Sequence, residues 1–161
     1  MLRDKNLIPL SHQHQRALAL CVRIARSSPI AESDRNSWQE EIAQHFQQEI
    51  GTHFSAEERI LFPAARHFPA LNPLIDELLE EHARLRKAFE KAKAGSLASD
   101  ELTALSRELS DHIRKEERQL FEQLQSLMSY EDLAHVGKQL EESLKDAEQV
   151  CMLARRPPSS G

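Results

Sequence analysis

The sequence contains little glycine and few β-branched residues. Only four of its 161 residues are glycine, whereas Leu, Ala, Glu, Gln, Arg and Lys dominate. These abundant residues are good helix formers. No segment alternates apolar and polar residues with the period of two that marks a half-buried strand. The shortage of strand signals predicts an all-α protein.

Cysteine is also rare. Cys21 and Cys151 lie far apart in the sequence, and neither belongs to a CxxC pair. Paired, closely spaced cysteines would have indicated a disulfide framework or a thiolate metal site. The simplest interpretation is two reduced thiols in a cytoplasmic protein.

The sequence also lacks a basic stripe and a long apolar run. The net charge is −5, which makes nucleic acid a poor partner. No apolar run approaches about 18 residues, and no basic and then apolar leader opens the chain, so we expect neither a membrane span nor a secretory signal. A hydrophobic content of 40% with 29% charged residues instead fits one folded domain.

Helical spacing of the apolar residues predicts five helices. The first should open at Pro9 and Ser11, with Ser11 as its N-cap, and Pro63 should kink or end the second. Gly95 is suited to the C-terminal cap of the third. The predicted helices cover about residues 11–26, 34–63, 73–94, 99–127 and 130–154.

Four long helices joined by short loops predict an up-down-up-down four-helix bundle. The fifth helix has one apolar face and should lie against the outside of this bundle. We expect the bundle core to cover residues 10–128 and the whole domain to cover residues 1–154. Residues 155–161, rich in Pro and Ser, should form a flexible tail.

One stretch occurs twice in the chain. Residues 53–63 read HFSAEERILFP and residues 112–122 read HIRKEERQLFE, with six of eleven positions identical. Each copy places a histidine four residues before a glutamate, which puts both side chains on one face of a helix. Each copy therefore presents an imidazole and a carboxylate side by side.

Six polar residues fall on helix faces that are otherwise apolar. A single histidine on such a face is more often an ordinary core residue than a ligand. Six ionisable groups in a duplicated pattern are different, because buried carboxylates must be paired or bind metal and helical backbone groups are already hydrogen-bonded. The six predicted metal ligands are His14, His53, Glu57, His82, His112 and Glu116.

The ligand types indicate which metal would bind. Imidazole nitrogens and carboxylate oxygens without a thiolate suit iron or manganese, with zinc as a further alternative. Two symmetric halves favour two ions, bridged by Glu57 and Glu116. Of about twelve coordination positions, about two would stay open to water, dioxygen, nitric oxide, peroxide or a further side chain.

The order His, HxxxE, His, HxxxE on four helices resembles the hemerythrin-like (HHE cation-binding) family. The likeness covers roughly residues 10–128 and includes the stretches LSHQHQRALAL and LLEEHARLR as well as the two copies above. The resemblance implies a non-haem centre of two iron ions that binds dioxygen or related small molecules. The resemblance also implies that the same six residues are the metal ligands.

The sequence departs from the oxygen-carrying hemerythrins at two places. Their third helix supplies a second histidine one turn after the first, and here that position is Arg86, following His82. Their last carboxylate is an aspartate spaced further from its histidine, whereas Glu116 follows His112 by four residues. These departures favour sensing, peroxide or nitric oxide chemistry, or iron handling over oxygen carriage.

Several neighbouring residues are alternatives to the six or additions to them. His12 competes with His14 but lies about 200° away around the helix, so we favour His14. Glu58 and Glu117 lie about 100° off the ligand line, which predicts solvated or Arg-paired carboxylates, with metal ligation as the alternative. The acidic residues around Glu81 are most simply a solvated helix face.

Three classes of function follow from these patterns. The first is a di-iron protein that binds dioxygen, nitric oxide or peroxide in sensing, stress defence or iron handling. The second is a peroxide-consuming or oxidase-type enzyme at the same centre. The third is a metal-free helical interaction module. We expect a monomer or homodimer with no nucleic acid or membrane partner.

Overall fold

The computed structural model describes residues 1–154, with their side chains up to residue 146. The predicted tail at residues 155–161 and the thiol of Cys151 lie outside the described part. Within residues 1–154 every regular element is helical, which confirms the all-α prediction.

Five helices form the described chain, with short 3₁₀ turns at Glu32–Asp34 and Pro69–Leu71. Two of the helices are assembled from successive α and π segments. The helices are α1 (Ile8–Arg26), α2 (residues 35–65), α3 (Asn72–Lys93), α4 (residues 99–127) and α5 (Tyr130–Ala154).

Pro9 lies in the first turn of α1 as predicted, but Ser11 is not its N-cap, whereas the predicted cap of α3 is confirmed. Helix α1 begins at Ile8, because Pro9 fits the first turn of a helix, where an N–H has no partner to lose. Ser11 therefore lies inside α1, and its hydroxyl donates to Glu117 Oε1 at 2.7 Å. After α3, Gly95 adopts a φ of +70°, the left-handed cap conformation that glycine favours.

Three π turns widen the two helices that carry the duplicated stretch. One lies at Phe46–Ile50, and the other two, Glu57–Leu61 and Glu116–Leu120, each begin at a predicted bridging glutamate. The wider turn shifts the carbonyl that the ring of Pro63 would otherwise meet. Helix α2 consequently continues through Pro63 and ends at Ala65.

The apolar core consists of two clusters with a polar layer between them. Along α1, Leu10 belongs to one cluster and Ala17 to the other, and His14 lies between the two. Helices α2, α3 and α4 likewise pass from one apolar cluster through the polar layer into the other apolar cluster. The fold therefore carries the predicted ligands to one level of its interior.

Helix α5 packs on the bundle along α2. Its buried residues join the cluster that contains Leu7 and Leu10 from the start of the chain. This placement agrees with the predicted position on the outside of the bundle. Within the described helices, none has a stretch both long and apolar enough to cross a lipid bilayer.

Candidate metal centre

Six side chains meet in the polar layer and form two groups of four. In each group one nitrogen or oxygen atom per residue lies within 4.8 Å of each of the others. Both glutamates belong to both groups. The first half-site is His14 and His53 with Glu57 and Glu116, and the second half-site is His82 and His112 with the same glutamates.

In the first half-site both histidines point their Nε2 atoms at a carboxylate. His53 Nε2 lies 3.0 Å from Glu57 Oε1, and His14 Nε2 lies 3.1 Å from Glu116 Oε2. The two Nε2 atoms are 2.9 Å apart. Four potential ligand atoms therefore converge on one point.

The second half-site uses the other oxygen of each glutamate. His82 Nε2 lies 3.4 Å from Glu57 Oε2, and His112 Nε2 lies 3.3 Å from Glu116 Oε1. The two Nε2 atoms are 3.1 Å apart. Each carboxylate thus gives one oxygen to each half-site, as a carboxylate bridging two ions must.

The outer nitrogens of the first pair of histidines are also engaged. His14 Nδ1 donates to Glu117 Oε1 at 2.7 Å, and His53 Nδ1 donates to Gln13 Oε1 at 2.7 Å. A proton held on Nδ1 leaves the lone pair of Nε2 facing inward. These contacts fix both imidazoles in the tautomer that a metal ligand needs.

The second pair is held in the same way. His82 Nδ1 donates to Glu58 Oε1 at 2.8 Å, and His112 Nδ1 donates to Glu81 Oε2 at 2.7 Å. Hydrogen bonding of the second nitrogen of a histidine is the usual support of metal-bound imidazole. All four histidines therefore carry the same orienting contact.

The carboxylates of this cluster lack the partners that burial normally requires. Glu57 and Glu116 are fully buried, and Oε2 of Glu57 and both oxygens of Glu116 accept no hydrogen bond from the described residues. Leaving such atoms unsatisfied costs free energy, and an unpaired buried charge costs more. A cation between the carboxylates and the imidazole nitrogens would satisfy them, so the residues present fit a metal centre.

A family comparison agrees with this geometry. The family model described as the hemerythrin HHE cation binding domain matches residues 9–124, most of the chain. The chain belongs to the hemerythrin HHE cation-binding family. The match covers all six residues of the two half-sites. Comparisons with curated proteins and with solved structures return no match.

The charges of this hemerythrin domain favour bound protons when no metal neutralises the carboxylates. Burial lowers the pKa of His14, but the carboxylates of Glu116 and Glu117 beside its two ring nitrogens outweigh burial and raise the pKa to about 10. The same competition raises the pKa of His82 to about 11. Burial would raise the pKa of Glu116, but the nearby His112 and its other histidine partners hold it well below the ordinary value.

Arginine pairs hold two of the orienting glutamates. Arg86 donates to Glu58, and Arg3 Nη2 donates to Glu117 Oε2 at 2.8 Å. Burial would raise the pKa of Glu58, but its hydrogen bonds with His82 and Arg86 outweigh burial and lower the pKa to about 2. The expectation of Arg-paired carboxylates is confirmed, and both carboxylates also orient a histidine.

Glu81 corrects one sequence prediction. The sequence predicts a solvated face for Glu81, but the residue is buried, with 7% of its surface exposed. It precedes His82 by one residue, which turns it about 100° around α3, and its carboxylate reaches His112. Lys115 donates to its other oxygen.

Helical spacing alone does not identify Gln13 as a site residue. It occupies the position before His14, as Glu81 does before His82, so the residue preceding each single histidine was the available signal. His12, the rival of His14, is exposed and lies outside the cluster.

A small cavity of about 10 Å³, roughly the volume that one water needs, lies beside the first half-site. Its lining is mostly apolar, and Ala17 contributes to the wall. At the second half-site Leu85 takes the corresponding helical position, and the ring of Phe54 stacks on His82 with 3.8 Å between the ring centroids. The cavity is lined by Gln13, His14, Ala17, Glu49, Ile50, His53, Phe54, Leu109 and Ile113.

Proposed function

We propose that this hemerythrin-family protein holds two iron ions and binds a small molecule such as dioxygen, nitric oxide or peroxide. One observation carries the proposal: Glu57 and Glu116 each direct one oxygen to each half-site. Two carboxylates shared in this way suit a pair of ions better than a single ion. The roles that fit are sensing, stress defence or iron handling.

The ligand assignment follows the two half-sites. His14 and His53 would hold the first ion, His82 and His112 the second, with Glu57 and Glu116 as bridges. The nitrogen and oxygen donors favour iron or manganese, and zinc is a further candidate. Two iron ions held by these residues would supply a centre that binds small oxygen or nitrogen species.

The cavity beside Ala17 supports binding of the small molecule at the first half-site. It adjoins His14 and His53 and is of the size for one small molecule. Arg86 adds no ligand at the second half-site, because its guanidinium pairs with Glu58 and lies 5.5 Å from the centroid of the Phe54 ring. An ion in the second half-site would therefore have two nitrogen ligands, one fewer than in the oxygen carriers, which favours sensing or reactive chemistry.

The alternating direction of the four long helices is part of this proposal. Helices α1 and α3 lead from the cluster containing Leu10 and Leu78 to the cluster containing Ala17 and Leu85. Helices α2 and α4 lead the opposite way, which supports the up-down-up-down order. A single domain over residues 1–154, the cytoplasmic location and a monomeric or homodimeric state stay predictions.

Anaerobic loading with Fe²⁺ tests the proposed function. We expect about two irons per chain, one for each half-site, and a ligand-to-metal absorption band after exposure to air. A protein that stays helical and stable but takes up no iron would support the metal-free interaction module instead. Steady consumption of peroxide by the loaded protein, lost in Glu57→Gln, would support the enzymatic alternative.

A further inference from the structure

We propose that the second half-site binds its ion more tightly than the first, and that Gln13 and Glu81 set this difference. The inference rests on the proposed metal centre and adds an order of loading and release to it. It starts from the approximate twofold relation between the two halves of the chain. Gln13 and Glu81 occupy equivalent positions in that relation, each one residue before a single histidine.

The two residues make equivalent hydrogen bonds with different chemistry. His53 Nδ1 donates to the neutral amide oxygen of Gln13 at 2.7 Å. His112 Nδ1 donates to a carboxylate oxygen of Glu81, also at 2.7 Å. The first half-site therefore has one amide and one carboxylate behind its histidines, whereas the second half-site has two carboxylates.

A carboxylate acceptor makes an imidazole a stronger metal ligand. It draws the Nδ1 proton toward itself and increases the electron density on Nε2, which a neutral amide does less. Glu81 is held in place for this role, because Lys115 donates to its second oxygen. The donors of the second half-site should therefore bind a cation more strongly.

Packing acts in the same direction. His82 is fully buried, and both Phe54 and Phe62 stack on its ring, with centroid distances of 3.8 Å and 5.5 Å. His14 carries one stacked ring, that of Phe121, with 5.5 Å between the ring centroids. The position of Phe54 is taken by Ile113 in the other copy of the duplicated stretch, so His14 lacks a second ring. The small cavity lies beside His14 instead. An ion in the second half-site would lie beside two stacked rings, whereas one in the first would adjoin the small cavity.

These differences divide the work between the two ions. The second half-site would retain its ion and keep the bridging carboxylates in place. The first half-site would exchange its ion and meet the small molecule that enters the cavity. Gln13 is then a positioning residue whose neutral side chain keeps the first ion exchangeable.

Release of zinc to a chromogenic chelator tests the inference, because Zn²⁺ has no redox chemistry. The wild-type protein should release its zinc in two phases, one ion in each. Gln13→Glu should slow the fast phase by about 10- to 100-fold, because changing the hydrogen-bond partner of a metal-bound histidine typically alters metal affinity by this factor. Glu81→Gln should speed the slow phase by a similar factor. Circular dichroism checks that each variant is folded.

Neighbouring residues provide matched controls for the change of charge. Gln15→Glu and Glu80→Gln alter exposed positions on the same two helices and should leave both phases unchanged. Release of both ions in one phase, or a fast phase unaffected by Gln13→Glu, would overturn the inference while leaving the metal centre intact. Should Glu81→Gln fail to fold, Gln13→Glu still decides. A folded wild-type protein that binds no zinc or iron would instead contradict the proposed function itself.

Discussion

The sharing of two glutamates predicts how much stability the metal adds in different variants. Glu57 gives one oxygen to each half-site, whereas His53 contributes to the first half-site alone. Replacing Glu57 by Gln should therefore weaken both ions. Replacing His53 by Ala should weaken one ion and leave the other in place.

The expected sizes follow from linkage between binding and folding. At a free metal concentration 100 times the dissociation constant, each ion stabilises the folded protein by about 2.7 kcal/mol, or about 5.4 kcal/mol for two. We take a 100-fold loss of metal affinity, the upper end of the effect of removing a residue that hydrogen-bonds to a metal ligand. This loss reduces the stabilisation from each weakened ion to about 0.4 kcal/mol. The metal should then add about 3.1 kcal/mol to His53→Ala and about 0.8 kcal/mol to Glu57→Gln.

Differential scanning calorimetry with and without Zn²⁺ measures these increments. At about 2–4 °C per kcal/mol for a protein of this size, zinc should raise the melting temperature of the wild type by roughly 10–20 °C. His53→Ala should keep a little more than half of that shift, and Glu57→Gln only a few degrees. Glu40→Gln changes an exposed glutamate on the same helix and should behave as the wild type. Equal losses in His53→Ala and Glu57→Gln would refute the shared-carboxylate geometry.

Three further predictions concern protons, the cavity and the arginine pair. Metal binding at pH 7 should release about two protons per chain, one from each half-site, because His14 and His82, with pKa values of about 10 and 11, carry protons that the ions displace. The affinity for metal should then rise with pH. Calorimetric titration in buffers of different ionisation enthalpy measures the proton release, and a titration that detects none would contradict this prediction. Ala17→Leu should fill the cavity and weaken nitric oxide binding to the iron-loaded protein roughly 5- to 150-fold, which corresponds to about 1–3 kcal/mol of overpacking. The iron content should not change. An unchanged affinity for nitric oxide would show that the ligand binds elsewhere. Arg86→Ala should free Glu58 and lower affinity at the second half-site about 10-fold by loosening His82, whereas an equal effect on both zinc release phases would argue against this local role.

Helical periodicity was sufficient to identify the candidate metal ligands. A histidine and a glutamate four residues apart share a helix face, and the apolar residues around them reveal that this face is buried. His14 and His12 could be separated on the same ground, because they point to opposite sides of α1. The all-α fold and the outer fifth helix followed from the same regular spacing.

The sequence by itself determined that the six candidate ligands point into the core, but not which atoms they meet there. Gln13, Glu58, Glu81 and Glu117 lie about 100° off the ligand line, and their partners belong to neighbouring helices. Whether such a residue contacts solvent or a histidine depends on how two helices pack against each other. The periodicity of one helix does not predict that packing.

The tertiary structure alone decided the division of the centre into two unequal halves. The space beside Ala17 and the ring of Phe54 on His82 arise where side chains of several helices pack together. The duplicated stretch predicts two equal half-sites. Packing makes them different, because a small or neutral residue on one helix changes the surroundings of a ligand on another.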